Sequence, residues 1–177
     1  MASLAQIISS FTTPYPNVSG FLCESHSSEH IVDDNQLKYS VFSNNINIPG
    51  FDVKNPNGIM FYLLQIDNRL IVAHRGGQCD CAFLYDDSIN LLEFKTNASS
   101  VGKVTKNYNK AENQIKNTII IFKNNGIDLL ALATDVEAHI CFNNSYPRKK
   151  ANEQSRAIAF AKATGGIGLF FENNKAI

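Results

Sequence analysis

The clearest pattern along the chain begins at Gly58. Apolar or β-branched runs at Ile59–Ile66, Leu70–His74, Cys79–Tyr85 and Ile89–Thr96 are split by Asp67-Asn68, Arg75-Gly76-Gly77 and Asp86-Asp87-Ser88. Runs of this length bounded by turn residues predict a four-strand antiparallel meander. The period then changes. From Lys103 to Asn124, Val104, Tyr108, Ala111, Ile115, Ile119 and Phe122 fall on one helical face, and Gly126 is placed to stop the helix. Asp128–Thr134 reads as a buried strand, Val136–Phe142 suits either element, Ala151–Ala163 reads as a helix and Ile167–Phe171 as a short strand. Ahead of all this, a short helix over Ala2–Phe11 leads into Thr12–Asn57. That stretch holds Pro14, Pro16, Pro49 and Pro56 among many Ser, Asn and Asp residues, and it predicts mostly irregular structure with at most one strand. The expected fold class is α/β, a single domain whose central mixed β-sheet contains an antiparallel meander and is flanked by helices. Residues 1–57 form a helix and loose extension packed on a core of residues 58–177. No internal repeat or low-complexity tract is evident.

The meander brings charged residues together. If Asp86-Asp87 is a two-residue hairpin loop, Tyr85 faces Ser88, and the pairing carries outward until Asp80 lies opposite Glu93. Directly opposed residues have Cβ atoms roughly 4.5–5.5 Å apart, and like charges there destabilise a sheet unless something stands between them. A divalent cation resolves the repulsion. Side chains alternate along a strand, so Lys95 joins Glu93 on one face while Phe94 points to the other. Around these charges the strands are apolar on both sides, with Ala82, Leu84, Ile89 and Leu91 on the charged face and Cys81, Phe83, Tyr85, Leu92 and Phe94 on the reverse. That suits a sheet covered on both faces. Two carboxylates are the hard oxygen ligands that Mg²⁺ or Mn²⁺ accepts while keeping several waters for a phosphate to replace. The same three residues also suit a structural ion-pair cluster at a strand end.

Composition limits the reading. The 177 residues, 44% of them hydrophobic, suffice for one substantial core and are short for two ordinary domains. Sixteen basic and sixteen acidic side chains cancel, so nucleic-acid affinity has to come from a local patch rather than an overall polycation field. No basic stretch precedes the apolar residues of Met1–Phe11, and no run of 18 apolar residues occurs, so a chain without membrane association and a cytoplasmic location are expected. Cys23, Cys79, Cys81 and Cys141 are too sparse for a disulfide scaffold.

Cys79-Asp80-Cys81-Ala82-Phe83, an acidic turn, and Leu91-Leu92-Glu93-Phe94-Lys95-Thr96 resemble the Asp…Glu-x-Lys signature of the PD-(D/E)xK, or restriction-endonuclease-like, nuclease superfamily. Cys79 stands where that family has proline. The resemblance spans about Ile59–Thr134 and is sharp over Asp80–Lys95. It implies a restriction-endonuclease-like fold and Mg²⁺- or Mn²⁺-dependent hydrolysis of phosphodiester bonds in nucleic acid, with DNA the first expectation. Metal ligation by Asp80, Glu93 and the carbonyl of Phe94 is implied, with Lys95 catalytic. Some branches of the family carry a functional glutamine on the following helix, where Gln114 is the counterpart, and many add an early acidic residue, here Glu24 or Glu29.

Beyond the strands, Lys103, Lys106, Lys110, Gln114 and Asn117 project to one side of the long helix, away from its apolar stripe, as a nucleic-acid-binding face or an ordinary solvated one. Arg148-Lys149-Lys150 is a further basic run. Cys79 and Cys81 are expected on one strand face opposite Asp80, with no second close Cys or His pair at structural-zinc spacing. His74 lies near them in sequence. Thr164-Gly165-Gly166 lacks the Gly-Lys-Ser/Thr ending of a phosphate loop and reads as a turn. A protein partner or homo-oligomer would supply specificity, and the competing function is a non-catalytic nuclease-like interaction or regulatory subunit of a larger complex.

Overall fold

A computed structural model describes residues 2–72, 76–96, 101–143 and 150–177, the side chains of 101, 150 and 151 excepted. The chain runs through α1 (Leu4–Thr12), a 3₁₀ turn (Val18–Phe21), β1 (Leu22–Ser25), β2 (Glu29–Asp34), β3 (Tyr39–Phe42) and β4 (Phe51–Lys54). It continues through β5 (Phe61–Gln65), β6 (Cys81–Tyr85), β7 (Ser88–Lys95), α2 (Val101–Asn124) and α3 (Leu129–Leu132). β8 (Asp135–Phe142), α4 (Lys150–Thr164), β9 (Gly168–Phe170) and β10 (Asn174–Ala176) complete it. His74, Arg148, Lys149 and the side chain of Lys150 lie outside the described residues.

One mixed sheet, ordered β1-β5-β6-β7-β8-β9, organises the molecule. Its β1/β5/β6/β7 half is antiparallel and its β7/β8/β9 half parallel, each parallel step being bridged by helix, α2 with α3 and then α4. A second sheet, β10-β4-β2-β3, lies on the other side. Ile31, Phe51 and Val53 of this sheet pack on Phe61, Leu63, Cys81, Phe83, Leu92, Phe94 and Cys141 of the first. The opposite face of the main sheet, with Ala82, Leu84, Ile89 and Leu91, is covered by Leu4, Ile7 and Phe11 of α1, by Tyr108, Ala111, Ile115 and Phe122 of α2, and by Phe160 of α4. The protein is thus a single α/β domain of sheet, sheet and helices, and β6 and β7 are buried on both faces as their unbroken apolar runs require.

Three expectations are corrected. The front is not irregular: β1 extends the main sheet, and β2, β3 and β4 build the second one with few but well-spaced apolar residues. Of the run expected over Leu70–His74, the described residues 70–72 add no strand to the meander. Just ahead of it Asn68 takes a positive φ of 58°, and the chain folds back so that Leu70 N and Ile71 N donate to Gln65 O and Ile66 O (3.3 and 3.0 Å). Asp128–Thr134 is a single helical turn, α3, in which Ala131 N and Leu132 N both donate to Asp128 O at 3.1 Å; the strand begins at Asp135. An apolar run of that length does not by itself distinguish strand from helix.

Candidate functional site

The hairpin between β6 and β7 has the expected two-residue loop. Asp86 takes a φ of 45°, Tyr85 pairs with Ser88, and the register continues to Cys81 opposite Leu92, where the paired ladder ends one residue short of the expected Asp80–Glu93 pair. Asp80 itself stands just outside β6. Its N–H donates to Leu92 O (3.1 Å) and its carbonyl accepts from both Ile66 N (3.2 Å) and Asp67 N (3.0 Å), a local bend in an otherwise regular ladder. The bend corrects a further expectation: Cys79 packs in the helix-side core and Cys81 in the sheet-side core, so the two do not share a face. Burial pushes the thiols of Cys79, Cys81 and Cys141 well above their usual range, and none is poised as a thiolate.

By strand alternation Glu93 and Lys95 share the helix-facing side of β7 with Ile89 and Leu91. All three charges are buried, with 7% exposure at Asp80, 0% at Glu93 and 9% at Lys95. Asp80 Oδ2 accepts from Phe94 N at 2.6 Å, which fixes its carboxylate on β7. Lys95 Nζ donates to Glu93 Oε1 and to Phe94 O, the latter at 3.3 Å. Glu93 Oε2 is buried with no hydrogen-bond partner. Desolvation, followed by the charge of Asp33, raises the Asp80 carboxyl to about 7, against the pull of Phe94 N and Lys95. Burial and the nearby Asp80 charge hold Glu93 well above the carboxylate range. Each acid opposes the ionisation of the other, as two carboxylates gathered at one place must.

Two further acids belong to this neighbourhood. Asp33 enters from β2: its partner Ser40 on β3 accepts a hydrogen bond through its carbonyl from Gln65 Nε2 (3.0 Å), and Gln65 pairs with Cys81. Partial desolvation and the charge of Asp67 raise Asp33, although its side chain still reaches solvent. Asp67 follows β5, is raised by burial, and is gripped by Gln78 Nε2. The early acids expected from the resemblance are engaged elsewhere: Glu24 accepts from Tyr62 Oη (2.5 Å), and Glu29 accepts from Ser25 Oγ (2.6 Å) and Ser27 Oγ (2.9 Å). Asp67-Asn68 had the sequence signature of a strand break. Its proximity to Asp80 follows from the pairing of β5 with β6, and Asp33 arrives only through the second sheet.

The helix α2 is pinned to the segment that carries Asp80. Gln114 Nε2 donates to Gln78 O (2.9 Å), Asn117 Nδ2 to Gly77 O (3.3 Å), and Cys79 N to Thr118 Oγ1 (2.8 Å). Gly77 sits at φ 76°, which strains any residue with a side chain, and a Cβ there would press on Gln114 Cγ at 3.1 Å. Gln114 and Asn117 therefore face this strap as half-buried residues, whereas Lys103, Lys106 and Lys110 are exposed. At about 1.5 Å rise per residue, the lysines form a row ending roughly one turn before Gln114.

Among the described residues, no three His, Cys, Asp or Glu side chains are grouped so as to hold a metal ion by themselves. What the site offers is two carboxyl groups, one of them with the unpartnered Glu93 Oε2, and the Phe94 carbonyl, a donor set that fits a hard ion retaining several waters. A hollow of about 590 Å³ between the C-terminal halves of α2 and α4 is lined by residues such as Lys116, Ile120 and Leu130 and includes none of these acids. No helix among the described residues is long and apolar enough to cross a membrane. Comparison with family models, with curated proteins and with solved structures gave no match, so the meaning of the site rests on its own geometry.

Proposed function

We propose that the protein is a Mg²⁺- or Mn²⁺-dependent phosphodiesterase acting on nucleic acid, of the restriction-endonuclease-like kind, with Asp80, Glu93 and Lys95 as its reactive core. The observation that carries this reading is the buried, unpartnered Glu93 Oε2 in a carboxyl that lies within reach of the Asp80 charge. A buried carboxyl oxygen without a hydrogen-bond partner is costly, and two carboxyl groups gathered here are better explained by a cation than by structure alone. Asp80, Glu93 and the Phe94 carbonyl would hold the ion, which supplies charge neutralisation at the phosphate and acidifies a bound water. Lys95 stands against both Glu93 and Phe94 O, where its ammonium can orient the attacking water and offset charge on the phosphoryl oxygens. The lysine row on α2 gives the sugar–phosphate backbone a track toward Gln114. DNA is the substrate favoured by the resemblance.

Near-complete burial of the three groups favours a second reading, a non-catalytic nuclease-like module of a larger complex. The test is cleavage of a mixed DNA and RNA panel with Mg²⁺ or Mn²⁺, alongside metal titration. Lys95→Ala is expected to abolish cleavage while retaining most metal binding. Asp80→Asn and Glu93→Gln are expected to lose both. Cleavage equal in wild type and Lys95→Ala would identify a contaminant and give precedence to the second reading.

A further inference from the structure

The polar neighbourhood of Asp80 contains more hydrogen-bond acceptors than donors. Gln78 is buried, and its amide nitrogen donates to Asp67 Oδ1 and, at 3.3 Å, to Ile71 O. Reversing the amide would set its oxygen against two acceptors, so its orientation is fixed. Its Oε1 is consequently left without a donor. Gln114 is in the same position, for its nitrogen is committed to Gln78 O and its Oε1 has no partner. With Glu93 Oε2 this makes three buried oxygens without a partner, on residues linked through hydrogen bonds of Gln78, Asp67, Asp80, Phe94 and Lys95. Unpaired buried acceptors are rare and each costs about 1–3 kcal/mol, so several together require a common explanation.

A hydrated hard cation provides one. Waters bound through oxygen turn their hydrogens outward, and the layer around such an ion must consist of acceptors. We propose that Asp67 and Gln78 are positioning residues that accept hydrogen bonds from the waters of the cation held by Asp80 and Glu93; this rests on the reading given above. Gln78 also keeps the Asp67 carboxylate turned toward the site, while Gln114 holds the Gln78 backbone in place. Since Mg²⁺ sheds water reluctantly and Ca²⁺ readily replaces it with protein oxygens, such a layer favours Mg²⁺ and Mn²⁺ over Ca²⁺.

The experiment uses the full chain and Mn²⁺ as probe, followed by titration and by the Mn²⁺ electron paramagnetic resonance spectrum, with Ca²⁺ as competitor. Gln78→Leu and Asp67→Asn are compared with wild type, Asp80→Asn and Glu93→Gln. The expected result is a loss of Mn²⁺ affinity of about 10–100-fold in Gln78→Leu. Asp67→Asn, which keeps an oxygen for Gln78 and lies partly exposed after β5, should fold as wild type and also lose affinity. Both should show an altered spectrum and weaker discrimination against Ca²⁺, with the metal-free melting temperature close to wild type. A purely structural role would lower that temperature and leave the spectrum of bound Mn²⁺ unchanged. Wild-type affinity and spectrum in both variants, with binding lost in Asp80→Asn, would overturn the positioning role and leave the cation site standing. Absence of Mn²⁺ binding by wild type would remove both.

Discussion

Glu137 shows how individual side chains govern stability away from the candidate site. Desolvation pushes its carboxyl upward, yet the hydrogen bonds from His139 (3.0 Å) and Lys175 (2.6 Å), with their charges, outweigh this and hold it at about 2. Lys175 also donates to Asn90 Oδ1 and Asp135 Oδ2, so it ties β10 to β7 and β8. A carboxyl lowered from 4.5 stabilises the fold fully above that pH and loses its contribution as the pH falls toward about 2. The melting temperature is expected to drop across this window. Glu137→Gln should start lower at neutral pH and show a shallower decline, and an unchanged slope would remove Glu137 as its source. The residue level is also where the sequence was most legible for the site: a two-residue turn leaves one register, so the pairing from Tyr85–Ser88 to Cys81–Leu92 followed from counting, whereas the bend that turns the Asp80 N–H to Leu92 O did not. Asp33 and Asp67 were not legible, because their approach depends on sheet pairings that no local pattern encodes.

Among the elements, α2 was read almost completely. Its buried face is the predicted stripe, since the helical period is long enough there to exclude a strand. The front strands were missed for the opposite reason: each is four to six residues long, and proline- and asparagine-rich turns between them dilute the alternation. The outward side of α2 has two parts, amides engaged with the strap and lysines open to solvent. Replacing Lys103, Lys106 and Lys110 with Ala is expected to weaken nucleic-acid binding and to reduce its salt dependence by up to about 0.9 log units for each duplex phosphate no longer neutralised. Measuring affinity across a salt series decides this, and an unaltered slope would return the lysines to ordinary surface.

At the scale of the whole molecule, the two sheets draw on both parts of the chain. β1 lies at the edge of the main sheet, and β10 runs parallel to β4 in the second. The expected division between an extension and a core therefore does not coincide with the layers, and the second sheet is the part of the fold least visible in the sequence. Its far-flung pairing, Asn174 with Asp52, has a kinetic consequence. Closing the β6–β7 hairpin restricts only two intervening residues, whereas joining β10 to β4 must first gather most of the chain, and that entropy cost precedes any reward. Refolding followed by pulsed hydrogen exchange should protect amides of the hairpin before those of β4; simultaneous protection would show one concerted step. Until β10 arrives, one edge of β4 is open to pairing with other chains, so the time spent in that unfinished state sets the exposure of a growing or refolding molecule to aggregation.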